Sequence, residues 1–155
     1  MQIEEIKVGL QNIRKNMDVS EYHLYAAAFI PRVFLGILFL FQGYDALFRL
    51  GIPAVIETFE YPLKNKGVPR FLLTMGSWYT SLAKLIGGIL LILGLFTHLA
   101  LYMLGLDLMF VAITFGLMRP LWDMQFVFPR LVLLIFLLII PIEWNVISLD
   151  HLLFP

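Results

Sequence analysis

Residues 77–98, SWYTSLAKLIGGILLILGLFTH, decide the fold of this chain. The run otherwise looks like the middle of a membrane, yet Lys84 stands within it. Thr74, Ser77, Ser81, Lys84 and Gly88 recur at steps of three and four, so a helix gathers them into one polar, small-residue stripe. About 20 helical residues cross roughly 30 Å of hydrocarbon, which this segment does. Its stripe must then be hidden from lipid, because a lone central charge costs at least about 2.5 to 3.5 kcal/mol.

The rest of the chain has the same character. Of 155 residues 61% are hydrophobic and only 14% charged, with a mean hydropathy of +0.89, so the chain is a membrane protein. Four apolar segments are expected to span: 24–50, 71–96, 99–117 and about 126–147. Gly67 and Pro69 break the chain before the second, Thr97 and His98 form a short turn before the third, and Arg119, Pro120 and Pro129 bracket the last link. Short links make successive helices antiparallel neighbours, and the expected fold is all-α: an integral membrane, up-down four-helix bundle over residues 21–155. In the longest link, Pro53 and Pro62 predict a short helix over 53–61.

Residues 1–20 form a segment apart. They lack the continuous apolar core of a signal peptide. Ile3, Ile6, Leu10, Ile13 and Met17 share one helical edge, which predicts an amphipathic helix lying on the membrane surface or against a partner. Zero net charge argues against a nucleic-acid surface, and the absence of cysteine rules out disulfides and cysteine-ligated clusters. The face that would hold both chain ends carries Lys7, Arg14 and Lys15, while the other carries Arg49, Lys64, Lys66, Arg70, Arg119 and Arg130. Glu57 and Glu60 offset part of that excess, so the positive-inside rule leaves orientation open.

Four charges fall inside the spans. Measured along each helix, Asp45 lies about 7 Å and Lys84 about 10 Å from one face, while Arg32 and Asp107 lie about 12 and 13 Å from the other. The matched depths predict two neutral structural pairs, Asp45 with Lys84 and Arg32 with Asp107.

These residues carry a family resemblance. PRVFLGILFLFQGYDALF (31–48) resembles the first helix of DoxX-like membrane proteins, with an Arg, a Gly four later and a second Gly seven further on. LAKLIGGILLILGLFTHLALYMLGLDLM (82–109) resembles their second and third helices, and WNVISLDHLL (144–153) their terminal Ser-Leu-Asp. Ala46 stands where the family usually has lysine, and Lys84 where it usually has glutamate. With Asp45 beside Ala46, the resemblance implies the family's charge pair kept with its signs exchanged. It also implies a small, multi-pass bacterial inner-membrane protein, in a family that includes a membrane subunit of a thiosulfate:quinone oxidoreductase and many members of unassigned role, some of them linked to redox or oxidative-stress systems.

Candidate cofactors are few. Haem is disfavoured, since His23, His98 and His151 lie at helix ends, and no metal-ligating set is evident. Trp78, Tyr79 and Trp122, beside Arg119 and Arg130, could hold a quinone head group, although an aromatic belt with cationic anchors predicts the same residues. The function expected is a non-catalytic or quinone-proximal subunit of a membrane oxidoreductase or respiratory assembly, with other redox subunits and the lipid bilayer as partners. The alternative is a free-standing permease or small-molecule binding protein.

Overall fold

The computed structural model describes residues 2–63, 66–118 and 124–153, with side chains from Glu21 onward and, after the second gap, from Gln125. Every regular element among them is helical. Helix α1 (Gln2–Tyr44) continues through a six-residue π-helical stretch, Asp45–Leu50, and Gly51 at φ 79° turns the chain into α2 (Ile52–Leu63). Then follow α3 (Arg70–Leu93), α4 (Thr97–Met118) and α5 (Met124–Ile139). A 3-10 turn, Ile142–Trp144, and the short α6 (Leu149–Leu153) complete the described chain.

Among the described residues three helices are long and apolar enough to cross a membrane: Glu21–Leu50, Arg70–Leu93 and Thr97–Met118. The fourth expected segment is shorter than its apolar run suggests. Pro141 lacks an N–H and disfavours helical geometry in the residue before it, so α5 ends at Ile139 rather than near 147. Its 16 residues reach about 24 Å, short of a full crossing. The link helix α2 is longer than the 53–61 expected, because Pro62 falls in its last turn instead of stopping it. Residues 2–20 are helical and continue into the first span without a turn, and their side chains, which would show what the apolar edge touches, lie outside the described residues.

Glycines set the packing of α1 on α3. A Cβ at Gly88 would lie 2.8 Å from both the Gly36 carbonyl oxygen and Leu40 Cα, and one at Gly43 would run into the backbone of Leu85. The two helices therefore approach backbone to backbone, as small residues allow in lipid. α4 packs on α3, and α5 closes against α4 and α1. Leu35, Phe39, Leu91, Leu101, Leu104 and Leu134 fill the space between them. Phe34, Phe41, Ile86, Leu106, Ile113 and Ile135 point outward and exposed, an apolar surface suited to lipid tails rather than water.

The α3–α4 turn is built by its sequence. Gly94 takes the left-handed conformation (φ 65°, ψ 39°), the Leu95 N–H donates to the Leu90 carbonyl at 3.0 Å, and the Gly94 N–H to the Leu91 carbonyl at 3.2 Å. That is the Schellman ending that glycine permits. The turn is Leu95 and Phe96, two residues earlier than the sequence suggested, because Thr97 already opens α4.

Candidate functional site

The interior charges do not pair as their depths predict. Lys84 Nζ lies 3.5 Å from Asp107 Oδ1, joining α3 to α4, and Asp45 instead pairs with Arg49 at 3.1 Å along its own helix. Depth was right for Asp45: Gly43 opposes Leu85, which puts Asp45 and Lys84 at about one level. The error was rotational. Asp45 stands in the π-helical stretch with its side chain 46% exposed, while Lys84 shares the inward stripe and is 16% exposed. Asp107 is fully buried and accepts no hydrogen bond of good geometry, so Lys84 and, further off, Arg130 are the charges that act on it. Arg130 also reaches α1, where both of its Nη atoms donate to the Gln42 amide oxygen at 2.6 and 2.9 Å, the amide orientation being the one that satisfies both groups.

Arg32 is likewise misassigned by depth. A Cβ on Gly94 would collide with its guanidinium, so Arg32 sits at the level of the α3–α4 turn, whereas Asp107 lies ten residues, about 15 Å, into α4. Buried to 1% exposure, Arg32 donates through Nη2 to the Ile147 carbonyl and has Asp150 as its nearby counter-charge. Asp150 binds the start of α4: its Oδ1 accepts from the Phe96 N–H at 2.7 Å and its Oδ2 from the Thr97 N–H at 2.9 Å. A carboxylate at a helix N-terminus satisfies orphan donors and matches the dipole. Phe96 holds a positive φ of 47°, which is unfavourable for a side chain of its size, and Asp150 clamps it there.

Between α2, α3 and α4 lies a cavity of about 770 Å³. Lys84, Ser81 and Ser77 enter it from one face of α3, and apolar walls come from α2 through Phe59 and from α4 through Phe110 and Phe115. Tyr79 lines it too, its hydroxyl donating to the Met103 carbonyl at 3.1 Å and its ring edge-on to Phe110 at 5.6 Å. The π-helical stretch contributes Ala46 and Leu50. The stripe read from sequence thus lines a space rather than only packing against a neighbouring helix.

The family model for DoxX matches residues 27–117, more than half of the chain. The chain belongs to the DoxX family. No curated protein and no solved structure matches it. The matched region of this DoxX-family protein contains Arg32, the π-helical stretch, Lys84 and Asp107, and the exchanged charge pair implied between Asp45 and Lys84 is replaced by a pair from α3 to α4.

Of the aromatic and cationic residues expected around a quinone, the structure separates three. Tyr79 faces the cavity, Trp78 on the next position is 48% exposed on the outer surface, and Arg130 turns to Gln42. Arg119 and Trp122 lie outside the described residues. Phe59, Phe110, Phe115 and Gln42 went unnoticed in the sequence, where each stands in an apolar run or link without a distinguishing spacing.

Proposed function

We propose that this DoxX-family chain is a non-catalytic subunit of a larger assembly in the bacterial inner membrane, and that it holds a lipophilic small molecule between α2, α3 and α4. The observation that carries the reading is the cavity itself, whose volume falls in the range of small-molecule sites, about 300 to 1,000 Å³. Its walls are apolar, and donors stand along one face, which is the pattern of a site that buries a hydrophobic body and orients a polar head. Quinones are the class that the family resemblance implies, and a quinone carbonyl is an acceptor for Lys84 or a serine hydroxyl. In the assembly the subunit would have four membrane helices, with α5 completing the bundle as its short fourth member.

Native mass spectrometry after gentle detergent extraction tests this. The expected result is a reproducible complex with redox subunits and about one organic-extractable molecule per copy of this chain. A bare chain without partner or bound molecule would refute it. The Lys84–Asp107 pair near mid-membrane favours a second reading, a free-standing binding protein or permease, since intramembrane ionisable groups mark ligand and ion paths. That reading predicts a homo-oligomer that keeps its ligand.

A further inference from the structure

We infer that the cavity between α2, α3 and α4 takes an uncharged, single-chain lipid with a hydroxylated head, of the monoacylglycerol kind, drawn from the bilayer, and that Ser77 and Ser81 recognise that head. The inference rests on the cavity of the preceding reading and on neither its assembly nor a quinone. Unpartnered hydroxyls are the first ground. Ser77 and Ser81 line the cavity at 5% and 1% exposure, and neither side chain makes a hydrogen bond among the described residues. A serine or threonine inside a helix can satisfy itself on the carbonyl three or four residues back, as Thr58, Thr74, Thr80 and Thr114 do. Ser77 and Ser81 do not, and a buried hydroxyl without a partner is costly. Four residues apart on one helix face, they stand about 6 Å apart along it, and each can both donate and accept. A head with hydroxyl and carbonyl oxygens meets both; a bare hydrocarbon chain meets neither.

Charge is the second ground. Lys84 is the one charged side chain lining the cavity among the described residues, and its Nζ already lies 3.5 Å from Asp107. A ligand carboxylate would set a second anion against the same ammonium, whereas an uncharged oxygen can accept from one of its three N–H donors and leave the pair intact. Access is the third. Near their shared turn α3 and α4 are tight, since a Cβ at Gly87 would lie 2.8 Å from Leu104 Cγ, but toward the other end a Cβ at Gly76 meets nothing within 4 Å. There Leu72 and Met75 of α3 and Ile113 and Leu117 of α4 line the cavity and are also exposed on the apolar outer surface, so the way in runs through hydrocarbon. The volume suits one ligand of small-molecule size rather than a two-chain phospholipid.

The test uses the full chain in phosphatidylcholine nanodiscs at alkaline pH, where oleate is ionised, with a monoolein analogue carrying a photoreactive diazirine in its chain. The label is expected on the cavity-facing residues of α3 and α4, and unlabelled monoolein should suppress it at a mole fraction at least about tenfold below that of octadecane or oleate, the effect of two net hydrogen bonds. Ser77→Ala with Ser81→Ala removes no side-chain hydrogen bond within the protein, so the fold stays, and it should erase the advantage of monoolein over octadecane. Gly76→Phe grows into the cavity and should abolish labelling there. Octadecane competing as well as monoolein would overturn the inference, as would oleate doing so, or an undiminished advantage in the serine double variant. Decylubiquinone competing better than monoolein would overturn it while leaving the proposed subunit function standing. If the wild-type cavity were not labelled and no organic-extractable molecule accompanied the chain, both would fall.

Discussion

Replacing Lys84 by methionine should be among the most destabilising single changes in this protein, and replacing Asp45 by asparagine among the mildest. The two were first expected to be partners, so the comparison is direct. Lys84→Met leaves Asp107, which has no exposed surface, beside only the more distant Arg130. Breaking a buried pair from one side costs about 3 to 5 kcal/mol, and the surviving Arg130 places the expected loss near the lower end, about 3 kcal/mol. Asp45→Asn removes an i,i+4 pair whose partners are 73% and 46% exposed, a type worth about 0.3 to 0.5 kcal/mol. The double variant Lys84→Met/Asp107→Leu should recover most of the loss, giving a coupling of about 2 kcal/mol, whereas Lys84→Met/Asp45→Asn should be additive. Unfolding in mixed detergent micelles, followed by circular dichroism, reads all four. Recovery in the Asp45 double variant, or none in the Asp107 double variant, would refute the pairing seen here.

Three further outcomes follow from the packing. Gly43→Ala should cost about 1 to 3 kcal/mol by forcing α1 away from the Leu85 backbone, while Gly76→Ala, with open space around it, should be neutral or stabilising by up to about 1 kcal/mol in the same unfolding assay. Asp150→Ala removes two hydrogen bonds from the start of α4 and the carboxylate nearest Arg32, so a loss of about 2 kcal/mol is expected, with faster amide exchange at Phe96 and Thr97. Deleting residues 2–18 should leave the spans folded by circular dichroism but weaken co-purification with the proposed assembly, and undiminished co-purification would rule out attachment through that helix.

How much of this was legible in the sequence divides by dimension. Position along each helix follows from apolar runs, glycines and prolines, and on that axis the reading was close: α3 and α4 begin and end within a few residues of expectation. The exceptions have local causes. Pro141 cut the last segment short, and nothing in residues 45–50 announces a π-helical stretch, whose i→i+5 bonds leave no periodic signature over so few residues.

Rotation about each helix was legible only where a stripe existed. Thr74, Ser77, Ser81, Lys84 and Gly88 gave α3 an inward face, and the cavity lies along the three residues at its centre. Asp45 and Asp107 had no such stripe, so depth alone had to choose between them, and depth cannot distinguish a neighbour on α1 from one on α4. Energy decides what depth cannot. Asp45 sits where water or an arginine four residues on can satisfy it, and such a group gains little from a buried lysine; Asp107 sits mid-helix on a core-facing side beside Leu104 and Leu108, where no group on its own helix balances its charge. Lys84 must pair with the carboxylate that has no other means of satisfaction. For an intramembrane lysine with two candidate acids at similar depth, the acid lacking a cation four residues away is the stronger choice.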